Sequence, residues 1–502
     1  MVTTKSALFL GIDVGTSSLK AVLLDAAGTV VDDASADYSV ESPAPGWTQQ
    51  DPDAWWKGLR TALTKLWQRE HEPTQIEAIG LTGQMHSLVI LDATGEVVCP
   101  AILWSDQRTR AESDEITRRI GREHLLERTG NLALPGFTAP KILWVRRHWP
   151  DAYARAAHFL LAKDFIRYRL TGDLATDPSD ASGTALFDVR NRRWADDVRR
   201  ELEIDARLLP TVAEGTTVTG VVNSEAALGL GLRAGTRVVA GGGDNAAAAV
   251  GLGAVAPGVL TISLGTSGVI FAPIAEYPAH VTGEVHVFCH AIPDRWHMMT
   301  VTLSAGGSLH WFRALLEGFV PASGDDAYAW LTDLAATAPP GSNDVLFLPY
   351  LSGERTPYAD PLARGVLYGL HLGTTLADVA RSVLEGVAFS QRQGLGLIRA
   401  HGAQATVARG AGGGLNSSVW RQVLVDALDI DLQLADPRGG AARGAAVLAG
   451  IGIGMYSDAN VGVDWATRPL HRPDPVGRDA LADSFATYEA LYPALRSVWS
   501  PT

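Results

Sequence analysis

Two cysteines in 502 residues, Cys99 and Cys289, leave no disulfide framework and no thiolate metal cluster. A reducing cytoplasm is the compartment this usage suggests. Basic residues are also in deficit, 42 against 55 aspartates and glutamates, for a net charge of −13. Non-specific nucleic-acid binding rests on lysine and arginine neutralising phosphates, so this balance disfavours that class and favours small-molecule work. No lysine follows a glycine, so the GxxxxGK[ST] phosphate loop is missing, and no GxGxxG opens a helix. The longest uncharged stretch, Asn245 to Ala275, is broken by Pro257 and repeated glycines. It reads as loop, strand, turn and strand, not as a membrane span. The start ALFLGIDVG reads as a strand without a basic region and cleavage site, so no signal peptide is expected.

What is present is an ordinary globular composition, 46% hydrophobic and 19% charged. A single core stops growing near about 250–300 residues, so at least two domains are expected. Strand and helix signals alternate, and the second half echoes the first. RVVAGGGDNAAAAVG and TVARGAGGGLNSSVW each read as strand, glycine turn and helix. The expectation is an α/β protein of two related halves, residues 1–245 and 246–450, followed by a peripheral segment, residues 451–502. Residues 108–129 and 139–170 read as helices with arginine-rich outer faces.

Two Gly-Thr-Ser loops lie half the chain apart, GIDVGTSSLK at 11–20 and SLGTSGVIF at 263–271, each between β-branched strands. Such turns expose backbone N–H groups and hydroxyls, which suit phosphate oxygens. Gly15, Thr16 and Ser17 in the first copy and Gly265 and Thr266 in the second are therefore candidate nucleotide-phosphate contacts. Plain hairpin turns use the same residues; the duplication favours a clamp. An acid beside a phosphate loop implies a cation between them, and Asp13 is the candidate ligand for Mg²⁺. Together these features suggest ATP.

Asp244 follows three glycines at a strand end, where α/β proteins face their ligands. A carboxylate there can take the proton of an attacking hydroxyl, or merely cap a helix. Gln84, Met85 and His86 project from a turn between two apolar strands, and together they offer polar and apolar surface suited to a polyol. Trp104, with Asp106 and Arg108, is a second candidate wall. Gly412, Gly413 and Asn416 sit in a bare glycine turn against which a flat base can lie.

These residues carry a resemblance that covers essentially the whole chain. GFTAPKILWVRRH (136–148) and GVLYGLHLGTTLADVARSVLE (365–385) resemble the two signatures of the FGGY carbohydrate kinases, members of the actin-like, ribonuclease-H-like ATPases. GQMH, LWSDQRT, TDPSDASGTALFDV, GGGDN and FLPYLSGERTP are similar to the versions in members that act on D-xylulose. The resemblance implies two ribonuclease-H-like domains with a ligand cleft between them and transfer of phosphate from ATP to D-xylulose. It implies Asp244 as general base, with Asp13 as the metal-associated carboxylate. Met85, His86, Trp104, Asp244 and Asn245 would contact the sugar. Thr16, Ser17 and Thr266 would hold phosphates, with Gly412, Gly413 and Asn416 near adenosine. Ser87, usually glycine, and Arg443, usually apolar and read here as peripheral, depart from the pattern. The alternatives are another ketose or polyol, such as ribulose, L-xylulose or gluconate, or an actin-like ATPase without a sugar pocket. Expected partners are the sugar and ATP, with no nucleic acid and no membrane; a homodimer is left open.

Overall fold

The computed structural model describes residues 7–69, 71–319, 325–436 and 438–499. The period-2 pattern of the N-terminal segment folds as an antiparallel meander of Leu8–Val14, Ser18–Leu24 and Val30–Asp37. Leu8–Val14 pairs in parallel with Ile76–Gly83, which pairs in parallel with Arg237–Val239 and again with the two-residue strand Gly242–Gly243. Val218–Val221 closes the edge.

Alternation decides what covers each face. Leu10, Ile12 and Val14 join one core with Trp55, Leu59, Leu63 and Leu66 of the helix Pro52–Trp67. That helix has Pro52 in its first turn, and the Asp51 carboxylate accepts from the Asp53 amide. On the other face lies the helix Gly440–Gly452, which approaches backbone to backbone. A Cβ on Gly11 or Gly80 would stand 1.8 Å from the carbonyl oxygen of Ala442 or Ala445. Gly80→Ala is therefore expected to destabilise by about 1–3 kcal/mol, or more if the helix cannot shift, measured as a lower urea midpoint at unchanged slope.

The chain divides into two units that interleave in sequence. One holds residues 1–255, 274–297 and 438–464; the other holds 256–273, 298–437 and 465–502. In the second unit the hairpin Gly258–Leu264 and Gly268–Ile274 lies beside Ala405–Ala411, parallel to the first hairpin strand, and then Asp431–Leu434 and Leu470–His471. The long helix Leu376–Ala400 starts with a capping box between Thr375 and Asp378.

Three expectations change. Residues 139–170 are not one helical stretch: Thr138–His148 and Pro150–Arg155 are followed by the strand His158–Leu160 before Ala162–Thr171 resumes helix. Pro150 lacks the amide that would continue the first helix, and it opens the next instead. Residues 108–129 break at Gly121, whose φ of 87° belongs to glycine. The last residues are less peripheral than read: within Pro475–Trp499, Leu481, Tyr488, Leu491 and Tyr492 are buried.

Candidate active site

Register brings the first group of residues together. Thr82 lies opposite Asp13 on one side and Gly242 on the other, so Asp13, the turn after Gly83 and the turn before Asp244 emerge at one end of three adjacent parallel strands. Strand spacing of about 4.8 Å places them within the reach of one small ligand.

The first Gly-Thr-Ser loop is held through its carbonyls. Gly15 O accepts from Tyr38 OH at 2.6 Å and Gln84 Nε2 at 3.4 Å, and Thr16 O accepts from Gln50 Nε2 at 2.8 Å. Ser17 O accepts from the Tyr38 amide at 3.0 Å. Among the described residues the amides of Gly15, Thr16 and Ser17 have no protein acceptor. The carbonyls that would repel an anion face the protein, and the donors that would bind one do not. Thr16 Oγ1 accepts from Trp104 Nε1 at 2.9 Å, so the half-exposed indole is tied to the loop.

Asp13 Oδ1 is buried without a hydrogen-bond donor. Burial, and then the neighbouring charge of Asp244, push its pKa up to about 7, against the opposing pull of Lys20. Among the described residues no three His, Cys, Asp or Glu side chains are grouped to hold a metal. An orphaned carboxylate beside loop amides without a protein acceptor fits Mg²⁺, which is held by one or two carboxylates, waters and substrate phosphates, and not by a protein cage.

Asp244 is the first residue of the helix Asp244–Gly251, with Gly243 as the cap residue, so its carboxylate is not the N-cap acceptor. Its Oδ1 accepts from the Asn245 amide at 2.7 Å and from Asn245 Nδ2 at 2.9 Å. Burial raises its pKa to about 6, a value matched to a base working near neutrality. Gly243 donates its amide to Ser179 Oγ at 3.0 Å, and Ser179 Oγ donates to Asp177 at 2.5 Å. Behind this tether Lys163 is fully buried among Asp164 at 2.5 Å, Asp177 at 3.0 Å and Asp180 at 3.3 Å.

Met85 packs where Gly243 and Gly183 have no side chains; a Cβ on either would approach it to about 3.0 Å. His86 takes a left-handed φ of 70°. Its carbonyl accepts from Lys141 Nζ at 2.9 Å and Thr138 Oγ1 at 3.1 Å, its Nδ1 meets Gly183 O at 2.6 Å, and its ring stacks on Phe137 at 4.5 Å. Lys141 is thus a positioning residue for His86, and burial holds its pKa well below the ordinary lysine value.

Several expectations are corrected here. Asp106 and Arg108 are not pocket walls: both side chains are fully buried and paired at 2.8 Å, with the guanidinium over Trp47 at 4.0 Å. Ser87 does not offer a free hydroxyl; it is buried and donates to Gln84 Oε1 at 3.3 Å. Arg443 is not peripheral, since it is buried and donates to the carbonyls of Gly251, Gly28 and Val461. Gln50, Tyr38 and Ser179 are not marked by the sequence, and Lys141 is marked only as part of the GFTAPKILWVRRH run, because no local spacing reveals a side chain whose partner lies tens of residues away.

The second unit gathers its own set. Ser263 lies opposite Ala411 across neighbouring parallel strands, so Gly265, Thr266, Gly412, Gly413 and Asn416 leave the sheet at the same end. Thr266, Gly412, Gly413 and Asn416 are exposed. Gly412, at φ 106°, passes so close to Leu264 that a Cβ would stand 2.6 Å from its carbonyl oxygen, while Gly413 faces open space.

A sheet-based pair of units, one with a carboxylate-bearing polar turn and both with a Gly-Thr-Ser loop at a strand end, has the parts a sugar kinase needs. The FGGY carbohydrate kinase N-terminal domain profile matches residues 8–251 and the C-terminal domain profile residues 260–453, and the chain belongs to that family. It is 42% identical over 450 residues to the xylulose kinase of Escherichia coli strain K12, covering 88% of this chain and 90% of that one. The xylulose kinase structure from Rhodospirillum rubrum is 30% identical with a TM-score of 0.89, covering 98% and 99%. The gluconate kinase structure from Lactobacillus acidophilus is 25% identical with a TM-score of 0.90, covering 99% of each chain. The chain is an ATP-dependent carbohydrate kinase with the two-domain α/β fold of that family. No helix among the described residues is long and apolar enough to cross a membrane.

Proposed function

We propose that this kinase transfers the γ-phosphate of ATP to D-xylulose, giving D-xylulose 5-phosphate and ADP. The observation that carries the reading is the convergence of Asp13, the Gln84–His86 turn and Asp244 at one end of three adjacent strands. Likeness to xylulose kinases selects the sugar. Asp244 accepts the proton of the terminal hydroxyl as that oxygen attacks phosphorus, while Asn245 orients the carboxylate. Met85 and His86 offer a carbon face and a polar edge to the ketose, and Trp104 adds an indole wall. The amides of residues 15–17 and the loop of Gly265 and Thr266 donate to phosphate oxygens, with Gly412, Gly413 and Asn416 beside the adenosine. Mg²⁺, held through Asp13 and phosphate oxygens, would neutralise phosphate charge. ATP and a small sugar are metabolites of the cytoplasm, which is the proposed location.

ADP release by the purified protein, measured with D-xylulose, D-ribulose, L-xylulose, xylitol, gluconate and glycerol, tests the sugar. Highest kcat/KM with D-xylulose is expected. A clear preference for gluconate or ribulose overturns the substrate and spares the kinase. Asp13→Asn is expected to raise the Mg²⁺ concentration for half-maximal rate at least tenfold with little change in sugar KM. An unchanged Mg²⁺ dependence removes the metal role.

A further inference from the structure

The segment Ser352–Pro357, part of the FLPYLSGERTP run, has no role in the chemistry above, yet it contains a deeply buried acid. Glu354 is 2% exposed, and the charge of the adjacent Arg355 acts against the effect of that burial. Its Oε1 accepts from the Leu303 amide at 3.0 Å and from the Arg355 amide at 2.7 Å. Thr356 fastens the same segment to the strand Trp296–Thr302. Its amide donates to Val301 O at 3.1 Å, and its hydroxyl accepts from the Val301 amide at 3.2 Å.

Leu303 leads into a sharp turn at Ala305, with φ −102° and ψ −94°, and then into the helix Gly306–Leu315. The first amides of that turn reach the second Gly-Thr-Ser loop. Ala305 and Gly307 donate to Thr266 O at 2.8 and 3.0 Å, and Gly306 donates to Gly265 O at 2.7 Å. A Cβ on Gly306 would stand 2.6 Å from Gly265 O, so the helix start is pressed directly onto the loop. Both carbonyls are consumed, and the amides of Thr266 and Ser267 have no protein acceptor among the described residues. The first loop reaches the same state through Tyr38, Gln84 and Gln50.

We propose that Glu354 is a positioning residue for the nucleotide-phosphate loop: by holding the Leu303 amide it fixes the turn that turns the Gly265 and Thr266 carbonyls inward. The inference rests on the reading that this loop holds ATP phosphates. Burial raises the Glu354 pKa to about 8, and glutamine, which keeps an Oε1 acceptor for the Leu303 and Arg355 amides, is a close substitute.

The test is steady-state kinetics of Glu354→Ala, Glu354→Gln and Glu354→Asp, varying ATP and ketose separately, with Gly265→Val as a probe of the loop itself. Glu354→Ala is expected to raise ATP KM at least tenfold with ketose KM within twofold, and Glu354→Gln to restore ATP KM to within threefold. An unchanged ATP KM in Glu354→Ala overturns the proposal, as does an equal rise in both KM values. If Glu354→Ala does not fold, Glu354→Asp decides: its shorter reach should still raise ATP KM severalfold, and no rise overturns the proposal. An unchanged ATP KM in Gly265→Val would instead sink the reading of the loop. A rise there, with none in Glu354→Ala, sinks the positioning inference alone.

Discussion

Asp244→Asn is expected to lower kcat by about 10²- to 10⁴-fold while ketose KM changes little, since the amide keeps the shape and loses the proton acceptor. Wild-type kcat/KM should fall as pH drops through about 6, where the carboxylate raised by burial takes up its proton. The residual activity of the variant should lack that limb. Retention of near wild-type turnover, with folding intact, would remove Asp244 from the chemistry. The same substitution has a stability signature of opposite direction. A carboxyl whose folded pKa lies above its unfolded value of about 3.9 is ionised in the folded state at a cost, so its contribution to stability is lost as pH rises through about 6. Asp244→Asn removes that cost. The variant should gain about 1–3 kcal/mol over wild type at pH 8 by chemical denaturation, with the difference vanishing below about pH 4. Lost turnover with gained stability separates a functional carboxylate from a structural one.

The second large effect concerns Lys163. Removing one partner from a fully buried ionic group leaves charge without compensation, which costs about 3–5 kcal/mol. Lys163→Met is expected to destabilise by that amount at pH 7, because Asp164, Asp177 and Asp180 then share a site without their common cation. Burial, with the nearby carboxylates, already holds Asp180 well above the ordinary carboxylate range, although Lys163 opposes this. Without the lysine the carboxyls should bind protons still more tightly in the folded state. The loss should therefore shrink as pH falls from 8 towards 5. A destabilisation under 1 kcal/mol would mean that the cluster relaxes or admits water. Since Ser179 links Asp177 to the Gly243 amide, the variant should also disturb Asp244.

How much of this was legible depended on distance along the chain. The Gly-Thr-Ser loops, GGGDN and GQMH are local patterns: glycines, a strand before them and a helix or strand after them appear within a dozen residues. The two-unit α/β fold followed from the same alternation, with the helix Pro52–Trp67 marked by the proline at its start and Leu376–Ala400 by its amphipathic pattern. Trp104, Asp106 and Arg108 stand within five residues and read alike, yet the indole is half exposed and the ion pair is sealed under Trp47. Burial is a property of what packs from elsewhere. Arg443 misled for the same reason, since its acceptors at Gly28, Gly251 and Val461 come from three other segments.

By itself, the sequence determined the chemical groups available: two Gly-Thr-Ser loops, one carboxylate beside the first of them, one carboxylate after a triple glycine, and a polar turn between apolar strands. Only the tertiary structure decided their arrangement. Parallel register set Asp13, Thr82 and Gly242 side by side, and partners such as Gln50, Tyr38 and Lys141 turned carbonyls away or held His86 in its left-handed conformation. The physical reason is that a turn's shape is coded by its own residues, whereas the orientation of its amides and the basicity of its carboxylates depend on desolvation and on donors supplied across the sheet.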